Sequence, residues 1–138
     1  MRKSRLRRAR VYNAPQAVSD IFYEDLSTVE EECRLFQNAI ERVPGKFIEA
    51  FMTAASPGIV VTTMIYRHYD SHESYLFAVA RELRKEYRQI VDAGFILQID
   101  APDLAMERSG FFQKQTLLEF QAFVEMHIEA INAALEGI

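Results

Sequence analysis

The chain has 138 residues, about half of them apolar and a quarter charged, with a formal net charge of −4 and a single cysteine. That is enough for one modest domain with a real core. It excludes an internal disulfide, a multi-cysteine metal site and a membrane-spanning run of ~18 apolar residues. Six of the 16 basic residues fall in MRKSRLRRAR, so residues 11–138 hold 10 basic and 20 acidic groups, a net of −10. Residues 1–15 therefore read as a basic leader, solvated and frayed. No apolar stretch follows the leader, so it is no secretory signal. The acidic body speaks against a nucleic-acid-binding face. With one thiol and no signal, a reducing, cytoplasmic setting is expected.

In chain order, AVSDIFY (17–23) reads as a short strand. Asp25 or Ser27 offers an N-cap, with Glu30, Glu31 and Glu32 in a first turn where the helix dipole favours anions. Val29, Cys33, Phe36 and Ile40 recur at steps of 4, 3 and 4 on one helix face, and Pro44-Gly45 ends that helix. KFIEAFMT (46–53) reads as a buried strand. In the following ASPG turn, Ser56 is an N-cap and Pro57 a first helical residue, opening a short helix to about Tyr66. RHYDSHES is loop, with Asp70 or Ser71 capping the next helix. Leu76, Val79, Ala80, Leu83, Tyr87, Ile90 and Val91 share a face of that helix, and Gly94 stops it.

FILQID (95–100) is the next strand, and Asp100 stands at its end, before Ala101-Pro102. Leu117, Phe120, Val124, Ile128, Ile131 and Leu135 then mark a last helical stripe. Alternation of this kind predicts an α/β fold with parallel strands and helical crossovers. In such folds ligands sit beyond the C-terminal strand ends, where Thr53, Ser56 and Asp100 would lie. The plainer reading is that Asp100 caps a short turn or helix at 102–107.

The combination EAFMTAASPG, YDSHESYLFAVARELRKEYRQIVDAGFILQIDAPDLAM and HIEAINAALEGI resembles the cobalamin-independent methionine synthase family. Within that family it is most similar to the shorter, single-barrel homologues described as methyltetrahydropteroyltriglutamate–homocysteine methyltransferase-like. The likeness covers roughly residues 16–138. It implies a partial (β/α)8 barrel of about three βα units. The parent reaction would move a methyl group from a methyl donor to a thiol such as homocysteine, activated as thiolate by a zinc ion on His, Glu and Cys ligands. By the same resemblance Asp100 holds the amino group of the thiol substrate, with Gln98, Thr53 and Ser56 completing the candidate substrate-binding set. The departures are as informative. Ala101 stands where a second acid often follows. Cys33 matches no zinc ligand, and the family's His-x-Cys strand would come after Ile138. A fragment without zinc ligands, inactive by itself, is expected. The alternative is a non-enzymatic α/β module that self-associates or pairs with a complementing chain.

His68 and His72 are four apart but straddle a helix start, which is poor metal-ligand geometry. His127 falls off the apolar stripe of the last helix and reads as a surface or packing histidine. Tyr66, Tyr69 and Tyr75 either line a substrate mouth or pack the loop.

Overall fold

The computed structural model describes residues 14–45 and 47–138. All but the last two residues of the basic leader, together with Lys46 of the second expected strand, lie outside them. The elements are β1 (Gln16–Ala17), α1 (Ser27–Arg42), β2 (Phe51–Ala55), α2 (Pro57–Thr63), β3 (Ile65–Tyr66), α3 (His72–Asp92), β4 (Ile96–Asp100), α4 (Asp103–Ser109) and α5 (Leu117–Leu135). The fold is α/β, with two separate two-stranded sheets, β1–β3 and β2–β4, both parallel.

The β2–β4 ladder runs in register from Phe51↔Ile96 to Ala55↔Asp100. Met52, Ala54, Leu97 and Ile99 turn towards the helices and join the core. Stacked Phe36 and Phe95, 5.1 Å apart, tie α1 to the entry of β4, and Cys33 Sγ lies 3.5 Å from Met52 Sδ. The alternate residues Phe51, Thr53, Ile96, Gln98 and Asp100 are exposed on the other face. The α1 stripe is as expected, with Val29 and Cys33 buried and Phe36 and Ile40 packed against the core. On α3, Leu76, Val79, Ala80, Tyr87 and Ile90 are buried. A reciprocal Ser71–Ser74 capping box starts that helix, and Gly94, at φ +87°, follows its end.

Three of the boundary differences from expectation have a hydrogen-bonding reason. Of the expected first strand, 17–23, only Ala17 lies in β1 (Gln16–Ala17), and two later backbone donors of the segment go to side chains. Ile21 N–H donates to Tyr69 Oη (2.9 Å), and Tyr23 N–H donates to Glu82 Oε2 (2.8 Å). The second strand starts at Phe51, since Phe95 N–H is spent on Ile90 O at the end of α3 and the ladder begins only at Ile96, whose N–H donates to Ala50 O. Helix α2 stops at Thr63, since Ile65 N–H donates to Pro15 O and draws the chain into the β1–β3 pair.

The largest correction concerns α5. The side chains it buries are His127, Ala130 and Ala134, with Phe123 and Met126 half-buried. This stripe has the same 4-3-4 spacing as the expected one, rotated by one residue. The small alanines let α3 approach closely, and Arg84 and Arg88 of α3 donate to Ala133 O (3.2 Å) and Gly137 O (3.0 Å) at the C-terminal end of α5. Leu117, Leu118 and Ile128 are left exposed, Leu118 at 77 %.

Candidate functional site

Two sites must be distinguished. The first is the exposed face of β2–β4. Thr53 and Gln98 are register partners there, and Asp100 projects from the same face at the C-terminal end of the ladder. Ser56 does not join them. One residue beyond the ladder, its side chain turns to the opposite face and is buried. Only its backbone reaches Asp100, the Ser56 N–H donating to Asp100 O at 2.9 Å. Strand alternation makes this unavoidable: Thr53 and Ser56 are an odd number of positions apart. Asp100 caps no helix either. Helix α4 has Pro102 at its N-cap, without a side-chain cap.

The second site was not read from the sequence. It begins at Ser56, whose Oγ accepts from Ile59 N–H (3.1 Å) as the cap of α2 and donates to Asp103 Oδ1 at 2.7 Å. The other carboxylate oxygen, Asp103 Oδ2, lies 2.7 Å from His127 Nδ1. His127 Nε2 in turn lies 2.9 Å from Nε2 of His72. Ser56, Asp103 and His127 are fully buried. Burial pushes the Asp103 carboxyl up, but hydrogen bonds from His127 and Ser56, with the charge of His127, outweigh it and the net shift is down. Gly58 makes the arrangement sterically possible. A Cβ there would stand 2.0 Å from Asp103 Oδ2 and 2.3 Å from His127 Nδ1.

The chemistry of this chain follows from its order. Asp103 orients His127 and sets its Nδ1 as donor, leaving Nε2 to meet His72. Ser56 donates to a carboxylate and touches neither imidazole, so it is not an activated nucleophile. Beside His72, a cleft of about 450 Å³ is walled by Tyr66, Phe112, Phe123 and Met126, with Glu119 also lining it. Glu119 Oε2 is held by Thr116, accepting from its N–H (2.7 Å) and Oγ1 (2.8 Å) in the α5 capping box.

The remaining candidates separate. His68 pairs with Asp20 at 3.2 Å, away from His72. Tyr66 lines the cleft, Tyr69 caps Ile21, and Tyr75 is fully buried, its hydroxyl without a hydrogen-bond partner among the described residues. Sequence reasoning missed Asp103 and read His127 as a surface or packing histidine, of which the structure bears out the packing. Its one available signal was a titratable residue, His127, at the 4-3-4 spacing with Phe123, Ala130 and Ala134.

Among the described residues no group of three or more His, Cys, Asp or Glu side chains is placed to hold a metal ion. Cys33 is buried against Met52, and His72 and His127 face each other, so the donor set does not fit a zinc centre of the His, Glu and Cys kind. No helix among the described residues is long and apolar enough to cross a membrane. Comparison with protein-family models, with curated proteins and with solved structures finds no match in any of the three.

Proposed function

We propose that residues 16–138 are part of a (β/α)8 barrel of the methionine synthase type, contributing the surface that holds the amino-acid end of a thiol substrate. The observation that carries this reading is the parallel β2–β4 pair. Helices cover one face, and Phe51, Thr53, Ile96, Gln98 and Asp100 are exposed on the other. In a (β/α) barrel that second face is the interior, and its C-terminal end carries the ligand-binding groups. Asp100 then accepts from the ammonium of a substrate such as homocysteine, with Gln98 and Thr53 beside it. Activation of the thiol by zinc would need ligands from strands outside the described residues, together with the methyl donor. The protein works in the cytoplasm, and these residues alone are inactive.

The test is reconstitution with a polypeptide that supplies the remaining strands and the His-x-Cys ligands, followed by methyl transfer to homocysteine. Asp100→Ala should weaken substrate binding by roughly 2–4 kcal/mol, as loss of a charged hydrogen bond does. Zinc content should stay unchanged. Intact substrate affinity with lowered thermal stability would make Asp100 structural and sink the reading.

The exposure of Phe51 (54 %) and Ile96 (49 %) also favours a second reading, a non-enzymatic module that covers this face with another copy of itself. Sedimentation separates the two. Self-association abolished by Phe51→Lys, with no gain of activity on reconstitution, would favour the module.

A further inference from the structure

Neither the exposed sheet face nor the buried Ser56–Asp103–His127 chain uses the cleft that opens between the end of α2, the start of α3, the α4–α5 connection and α5. Its volume of about 450 Å³ falls in the ~300–1,000 Å³ range of small-molecule sites. Its walls are largely aromatic. Phe112 lies on Phe123 with ring centroids 4.7 Å apart, Phe123 stacks on His72 at 5.7 Å, and Tyr66 stands 6.3 Å from His72. Met126 adds a thioether side chain, which packs well against rings. Faces and edges of this kind suit a flat aromatic guest, by offset stacking or edge contact.

Polar groups on these walls are few, and two are visibly engaged. Thr62 Oγ1 donates to Ile59 O at 2.9 Å, and Glu119 Oε2 accepts from Thr116. Gln115 differs. It lines the cleft, yet its side-chain carbonyl Oε1 is buried and meets no hydrogen-bond donor among the described residues. A buried acceptor left without a donor is destabilising, and a guest N–H would end that cost. The last torsion of a glutamine side chain is soft, so a small turn of the amide presents Oε1 to the cleft. A guest rich in polar edges would bury most of them against carbon, which is unfavourable.

We propose that this cleft binds a flat heteroaromatic molecule with a single N–H donor and an otherwise apolar body, of which indole is the simplest example. Its rings lie among Tyr66, Phe112 and Phe123, and its N–H donates to Gln115 Oε1. The site is separate from the exposed sheet face, so it stands or falls apart from the barrel reading.

The test is a titration of the full chain with indole at about pH 8, where an ordinary histidine is neutral. The chain has no tryptophan, so the emission of indole itself reports binding. Indole should bind saturably and about fivefold more tightly than N-methylindole, which lacks the donor. The extra methyl by itself favours N-methylindole, so that order is set by the N–H. Gln115→Met, similar in length but without a carbonyl, should bring the two ligands to within about twofold. Ala122→Phe, at an exposed position on the cleft wall, should abolish binding of both by filling the space. Phe51→Lys, on the sheet face, should change neither. N-methylindole binding as tightly as indole, or a preference for indole that survives Gln115→Met, overturns the proposal. So does the absence of saturable binding, or binding lost in Phe51→Lys and kept in Ala122→Phe, which would put the ligand on the sheet. If Gln115→Met fails to fold, NMR of the wild type decides. A side-chain amide signal of Gln115 that moves with indole and not with N-methylindole supports the site, and one that moves with both or with neither overturns it.

Discussion

Gly58→Ala offers the most direct probe of the buried chain, because the added atom is small and its neighbours are known. The new Cβ would stand 2.0 Å from Asp103 Oδ2 and 2.3 Å from His127 Nδ1, well short of the ~3.5 Å at which unbonded atoms rest. The carboxylate would have to retreat by more than the tolerance of its two 2.7 Å hydrogen bonds, to Ser56 and His127. Overpacking alone costs ~1–3 kcal/mol, and disrupting a buried ionic pair ~3–5 kcal/mol. The two overlap, so a loss of about 3–5 kcal/mol is expected, a large part of the ~5–15 kcal/mol that holds a domain together. Urea denaturation followed by circular dichroism measures it. The control is the same substitution in an Asp103→Ala/His127→Ala background. There the clash is gone and alanine's helical preference over glycine, ~0.8–1 kcal/mol, should make the change neutral or stabilising. A cost under about 1 kcal/mol in the wild type, or an equal cost in both backgrounds, would refute the reasoning.

Asp103→Asn removes the carboxylate that two hydrogen bonds hold, and should cost about 3–5 kcal/mol at neutral pH. Because the folded-state pKa is depressed, that stability is present above the unfolded value of ~3.9 and is lost as pH falls through the folded one. The gap between wild type and variant in urea midpoints should therefore narrow below about pH 4, and a gap independent of pH would contradict it. Tyr75 and Tyr87 form a matched pair on α3, both fully buried. Tyr87 donates to Ala55 O at 2.6 Å, whereas the Tyr75 hydroxyl has no partner among the described residues. Tyr87→Phe should cost ~1 kcal/mol or more, and Tyr75→Phe should be neutral or stabilising. Equal thermal shifts would count against the assignment. Asp100→Ala, at an exposed position that caps nothing, should change stability by less than ~0.5 kcal/mol, and a larger loss on calorimetry would return Asp100 to a structural role.

Local chemistry was legible in the sequence where it acts within a few residues. The Ser56 cap with Pro57 behind it, the Ser71 start of α3 and the Gly94 stop each depend on neighbours in the chain, and each stands where the residues put it. The parallel pairing of β2 with β4 followed from alternation of strand and helix patterns. The extent of a strand was not legible, because it depends on where its partner's donors go. Tyr69 and Glu82, about 50 or more residues away, took the donors that would have extended β1. The buried face of α5 was undetermined for a related reason. Two stripes of equal period lie one residue apart on that helix, and periodicity ranks them by apolarity. Tertiary packing chose the less apolar one, because Ala130 and Ala134 admit α3 and because His127 finds Asp103 and His72, 24 and 55 residues distant. A buried histidine is favourable only when its hydrogen-bond partners are already in place, and three-dimensional proximity alone supplies them.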